Sequence, residues 1–188
     1  MPSPVRLPVY LPHDLESGDR FTYVGIDPGT HGGIAIVHNN LAVTKPTPEH
    51  YCDQLIWIYR TLLEFPSPYR VVIEQVQGFI GRKANAGGKE GNTGSSMFTF
   101  GQTYGAMLMT LTALRDLAKL DLKYITVPPN TWQRGLKITP RAKTEPRHKF
   151  KGRLADLARY YFPQKNITRA VSDALLLAHY SRTKVGWS

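Results

Sequence analysis

The sequence predicts an α/β fold, a mixed five-stranded sheet flanked by helices. Three observations carry that reading. Between residues 21 and 43, three short apolar runs alternate with turn chemistry, the pattern of an antiparallel meander. Two later β-type runs, Val71 to Glu74 and Tyr124 to Val127, lie between stretches of helical periodicity, the alternation that builds parallel strands with helical crossovers. The 188 residues are 41% hydrophobic, which suits one domain around one core and excludes disorder throughout.

Taken in order, the first twenty residues carry Pro2, Pro4, Pro8 and Pro12, then Asp14, Glu16 and Asp19, with no regular periodicity. Residues 1–20 therefore read as a loose N-terminal arm and residues 21–188 as the domain. Phe21 to Ile26 is a strand. Asp27-Pro28-Gly29-Thr30-His31-Gly32-Gly33 turns the chain, Ile34 to Val37 returns it, and Asn39-Asn40 turns it again into Leu41 to Val43. Thr47 and Pro48 read as a hydroxyl cap and a first helical residue, followed by Tyr51, Leu55, Ile58, Tyr59, Leu62 and Leu63 at helical spacing. After the strand ending at Glu74, Gly78 to Ser96 is rich in glycine, and a loop of that length usually has a function or is disordered. Met97 to Leu120 reads as a long, mostly apolar helix and Asn130 to Leu136 as a short one. A helix through Leu154, Leu157, Ala158 and Tyr161 stops at Pro163, and the last helix spans Val171 to Tyr180.

The formal charge of +10 is unevenly spread. Residues 1–80 hold five Lys/Arg and eight Asp/Glu, whereas residues 81–188 hold 19 and six. Arg134, Lys137, Arg141, Lys143, Arg147, Lys149, Lys151 and Arg153 crowd one segment with Glu145 as its lone acid. Such density attracts phosphates and makes binding fall with salt; the ordinary alternative is a solvated loop. No 18 uncharged apolar residues run together and no apolar stretch follows a basic start, so neither a membrane span nor a signal peptide is expected. Three acids in the arm argue against organelle import. A single cysteine, Cys52, excludes an internal disulfide and a multi-cysteine zinc site, leaving carboxylates and histidines as metal ligands.

Three carboxylates stand in unusual surroundings: Asp27 and Glu74 at the ends of apolar strands, and Asp173 beside the apolar face of the last helix. Singly, each has an ordinary reading as a turn, a strand end or a helix-start acid. Buried together, they would be costly unless a cation neutralised them. Acids without cysteine favour Mg²⁺ or Mn²⁺, and two such ions about 4 Å apart can activate water and stabilise the leaving oxygen of a phosphodiester. With a basic tract nearby, the implied reaction is nucleolytic hydrolysis.

Val24-Gly25-Ile26-Asp27-Pro28-Gly29, Val72-Ile73-Glu74-Gln75-Val76 and Ser172-Asp173-Ala174-Leu175-Leu176-Leu177-Ala178 together resemble the three signatures of RuvC-type Holliday junction resolvases. Met97-Phe98-Thr99-Phe100-Gly101 with Tyr104-Gly105, and Val127-Pro128-Pro129 with Trp132, resemble the phage-borne and chloroplast branch of that family. The resemblance implies an RNase H-like fold, a homodimer, and Mg²⁺-dependent paired nicking of a four-way DNA junction in recombination or repair, with Mn²⁺ as a substitute. It implies a bacterial or phage-infected cytoplasm. Asp27, Glu74 and Asp173 match metal-binding acids of the family, and Lys149 matches a lysine that contacts DNA near the scissile phosphate.

The family usually has a fourth ligand, Asp or His, three or four residues before its last acid; here those positions are Ala170 and Arg169. The second metal would then be weak, held by a substitute such as His179 or His148, or lost with an inactivating change. Besides Lys149, the candidate DNA contacts are Arg82, Lys83 and Lys89 in the glycine-rich loop, and Arg134, Lys143, Arg147, Lys151 and Arg153 in the basic segment. Phe79, Phe98 or Phe100 are candidates to wedge against bases, although core packing is the favoured reading of the last two. Gly101 and Gly105 would let their helix approach another element closely, in the same chain or a second copy. Two alternatives stand beside the resolvase: another RNase H-fold nuclease acting on branched DNA or RNA·DNA hybrids, and a junction-binding protein with impaired catalysis.

Overall fold

Alternation along the strands assigns each side chain to one of two cores. The computed structural model describes residues 7–8, 18–29, 31–75, 94–163 and 167–188. Thr22–Asp27 (β2), Gly33–His38 (β3) and Leu41–Pro46 (β4) form the expected antiparallel meander, and Tyr69–Glu74 (β5) and Leu122–Val127 (β6) extend it in parallel. These are the five strands legible in the sequence. A two-residue strand, Leu7–Pro8 (β1), pairs with β4 at the edge, giving the order β1-β4-β3-β2-β5-β6. The β3–β4 hairpin turns at Asn39, whose φ of 50° is a left-handed conformation that asparagine tolerates.

One face of the sheet is covered by Tyr51–Leu62 (α1) and Gly94–Asp116 (α2). Val24, Ile26, Ile34, Ile36, Val71 and Ile73 pack there with Ile58, Leu62, Met107 and Leu111. The other face carries Pro129–Gly135 (α3), Arg147–Tyr161 (α4) and Arg169–Lys184 (α5), with Ala35, Val37, Val72 and Val127 set against Leu154, Ala158, Leu175 and Ala178. Each fully buried aliphatic chain of this kind contributes about 1.5–3 kcal/mol, and no helix among the described residues is long and apolar enough to cross a membrane.

Glycine decides how closely α5 lies on the sheet. A Cβ on Gly25 would stand 2.0 Å from the Ala174 carbonyl oxygen and 2.3 Å from the Ala178 nitrogen, and one on Gly33 would stand 2.6 Å from the Ala170 oxygen. The helix backbone therefore rests directly on β2 and β3, closer than any side chain would permit.

Two local expectations are corrected. The first helix begins at Tyr51 after His50, not at Thr47. Thr47 is committed elsewhere, its N–H donating to the Gly32 carbonyl (3.0 Å) and its hydroxyl to the Asp27 carbonyl (3.4 Å). The end of the arm is anchored rather than loose. Asp19 pairs with Arg182 of α5 at 2.8 Å, and its N–H donates to Asn39 Oδ1 at 2.6 Å. The glycine-rich segment up to residue 93, with Phe79, Arg82, Lys83 and Lys89, lies outside the described residues.

Candidate active site

Strand parity aims two of the three acids. Because Val24 and Ile26 face α1 and α2, Asp27 faces α5; because Val71 and Ile73 do the same, so does Glu74. The parallel register pairs Ile26 with Ile73, so Asp27 and Glu74 emerge side by side at the carboxyl ends of adjacent strands. Open α/β sheets bind ligands at that edge. α5, held close by Gly25 and Gly33, delivers Asp173 to the same point. One oxygen from each of the three carboxyl groups lies within 4.8 Å of the others.

The turn after β2 fixes Asp27. Gly29 N–H donates to Asp27 Oδ1 (3.1 Å), and Gly32 N–H closes the turn on the Gly29 carbonyl (2.8 Å). A Cβ on Gly32 would stand 2.2 Å from the Asp27 carbonyl oxygen and 2.8 Å from its Cγ. The structural and functional readings of this glycine turn are thus the same device: the turn holds the carboxylate in place.

Burial, then repulsion from Asp27 and Asp173, pushes Glu74 up to about 8, with Lys151 opposing. Asp27 is also raised, by burial and then by Asp173, against the pull of Lys151, the Gly29 N–H and Arg147. Lys151 donates to Asp173 Oδ2. Burial pulls the Lys151 ammonium down, but Asp173, Asp27 and Glu74 together outweigh it and hold its pKa above the ordinary value. The Asp173 side chain is 3% exposed, and it also accepts from Ser172 Oγ at 3.3 Å. Three crowded carboxyls with an all-oxygen donor set fit a hard divalent cation, which would offset both the burial and the repulsion that raise Glu74.

Asp27 and Glu74 open into a cleft of about 430 Å³ whose walls include Arg147, Lys151, Arg169, Ala170, His31 and Phe100. The lysine brought to the acids is Lys151, whereas Lys149 is exposed on α4 and does not line this cleft. Helix geometry is the reason: Arg147 and Lys151 are four residues apart on one face, and Lys149 is rotated away from it. The spacing of Lys151 from Phe150 and Leu154, on the buried side of the same helix, was the signal that separates the two lysines.

The other candidates disperse. Arg153 forms a bidentate pair with Glu145 (2.9 Å for both bonds) and reaches the Thr139 carbonyl, which ties the basic segment down. Arg134 and Lys143 are exposed away from the cleft walls. His148 is exposed, and His179 stacks on Tyr161 at 3.9 Å, where burial lowers its pKa to about 4; neither joins the three acids. Arg169 and Ala170 do face the cleft. Phe98 is 68% exposed and Phe100 lines the cleft, so the expectation of core packing for these two is overturned. A Cβ on Gly101 or Gly105 would meet nothing within 4 Å, so these glycines serve no close packing within the described chain. His31, and Arg169 as a cation, were missed, because neither stands in a periodic pattern that points to a site.

No protein-family model matches the chain, and no curated protein matches it. Among solved structures it is similar to Thermus thermophilus RuvC in complex with a Holliday junction substrate, with a TM-score of 0.51 and 18% identity over 88% of this chain and 97% of that one. The fold is RNase H-like. In an RNase H-like sheet built this way, the three acids occupy the carboxyl edge of β2 and β5 and the helix laid across them.

Proposed function

We propose that the chain is a Holliday junction resolvase, a structure-selective endonuclease that makes paired nicks in four-way DNA with Mg²⁺, or Mn²⁺ in its place. The observation that carries this reading is the meeting of Asp27, Glu74 and Asp173 at a cleft that Asp27 and Glu74 line together with Arg147 and Lys151. Asp27 and Glu74, fixed by strand register, and Asp173, fixed by α5, would hold the ion. When bound, the ion supplies Lewis-acid charge at the phosphate and activates a water. Lys151 now balances Asp173; with a cation on the acids, its ammonium is available to the charge that develops on the phosphate oxygens. The basic wall draws the DNA backbone in. The phage and chloroplast branch is supported by the Met97 to Gly101 motif, whose Phe100 reaches the cleft.

A homodimer completes the proposal. Phe98 and Met109 are each 68% exposed on α2, in line with the open faces of Gly101 and Gly105. An apolar stripe of this kind suits a second copy, and a two-fold pair of sites suits a two-fold junction. The deciding experiment is cleavage of an end-labelled mobile four-way junction in Mg²⁺, with the mass in solution measured in parallel. Symmetric paired nicks by a dimer are the expected result. Faster cutting of an RNA·DNA hybrid would replace the resolvase with another nuclease of this fold, and tight binding with no cutting in either metal would leave a binding protein.

A further inference from the structure

Two helices begin at the cleft, and both begin with arginine. Arg147 opens α4 and Arg169 opens α5, and neither helix has an acid in its first turn. The amino end of a helix is the positive end of its dipole, where acids are favoured and a cation is unfavourable. Both arginines nevertheless face the cleft that Asp27 and Glu74 line, with Lys151 between them in the chain. Arg147 and Lys151 are the side-chain cations whose charge is felt at Asp27.

Residues 169 and 170 lie four and three positions before Asp173, on its own face of α5. An acid at either would enlarge the donor set; the chain places a guanidinium and a methyl group there. Among the described residues, the walls of the cleft thus carry Asp27 and Glu74 with three cations, and Asp173 lies behind them in the same carboxylate group. His31 is the remaining wall residue with a ligand atom, and it is outside the group of atoms that lie within 4.8 Å of one another. Three acids suit one divalent ion. Among the described residues, a second ion would find no carboxylate outside this group and would face three positive charges.

Resting on the nuclease reading, we propose that the cleft binds a single divalent ion, and that Arg169, with Arg147, holds the phosphate oxygen that a second ion would otherwise hold. A guanidinium suits that task because its forked N–H groups match two oxygens of a phosphate and its charge is never lost. The acids would hold the ion, and the two helix-opening arginines in the wall of the same cleft would hold the phosphate.

Mn²⁺ titration of the full chain, followed by the resonance of the free ion and by calorimetry, is expected to give one ion per chain. Ala170→Asp is expected to raise the count to two. Arg169→Gln is expected to keep one ion while cutting a saturating four-way junction about 10²–10³-fold more slowly, with part of the rate restored by Arg169→Lys. Two ions on the unaltered chain would overturn the inference and leave the nuclease reading standing, whereas no ion would overturn both. An Arg169→Gln chain with unchanged kcat, whether or not KM rises, would overturn the assigned role of Arg169.

Discussion

α5 carries buried charge at both ends, and the two ends are built differently. Near its carboxyl end Arg182 meets Asp19, one cation against one anion, each side chain 4% exposed. Toward its amino end Asp173 shares its space with Asp27 and Glu74, and Lys151 is the cation in direct contact with it. The first arrangement is complete within the protein. The second carries more negative charge than its partner cancels, and burial, then repulsion from Asp27 and Asp173, drives Glu74 up to about 8. Buried charge that balances internally reads as architecture; buried charge left in excess reads as a place for something the chain does not supply.

The largest effect should come from the unbalanced end. Asp27→Asn keeps the shape of the side chain and the turn around it but removes a ligand charge. Cleavage of a four-way junction should fall by about 10³-fold or more, since several kcal/mol of metal-borne stabilisation is lost at 1.4 kcal/mol per decade. Binding at low salt should persist. An Asp27→Asn chain that still cuts would show that the acids are structural, like Asp19.

At the balanced end the expected damage is to stability. Arg182→Met leaves Asp19 buried without its partner, which costs about 3–5 kcal/mol when a buried pair loses one member. Urea denaturation should show that loss directly. Glu74→Gln should do the opposite to the ion-free protein, raising its melting temperature by removing a carboxyl that the folded site holds back from ionising, while abolishing activity. Equal destabilisation by both substitutions would erase the distinction between the two ends.

Acidity tests the same contrast more gently. A carboxyl whose folded-state pKa lies above its unfolded one stays protonated in the native protein after the unfolded chain has released the proton. Folding stability from such a group is present below the ordinary value of 4.5 for Glu74, and is lost as pH rises toward about 8. Asp27, also raised, acts in the same direction. Without divalent ions the melting temperature should therefore decline between about pH 5 and pH 8, more steeply in the unaltered chain than in Glu74→Gln. Added Mg²⁺ should flatten the slope, because an ion stabilises the ionised form. Identical slopes in the two proteins would mean that Glu74 does not carry the excess charge.

The strands and most helices were legible because they rest on periodicity, and the three acids were legible because each interrupts an apolar pattern. Thr47 misled because capping chemistry is local, whereas its partners, Gly32 and Asp27, are supplied by the tertiary turn. Gly25 illustrates a different limit. Its place in a glycine-acid turn motif is visible in the sequence, but the reason no side chain fits is the backbone of α5, about 150 residues further on. Arg169 stood at an expected ligand position and read as a loss; with the cleft in view it is a positive wall residue facing the acids.

The smallest expected effect separates two lysines on one helix. Lys149, the lysine that the family resemblance singles out, is exposed, so Lys149→Ala should change stability by no more than about 0.5 kcal/mol and cutting by only a few-fold, through one weakened backbone contact. Lys151 lies four residues after Arg147 on the face that meets Asp173, and Lys151→Ala should slow cutting by about 10²-fold. The pair of rates, measured on one junction at one salt concentration, tests whether a lysine acts by general attraction or by position. If Lys149→Ala proved the slower enzyme, α4 would have to rotate when DNA binds, exchanging one face of the helix for another at the acids.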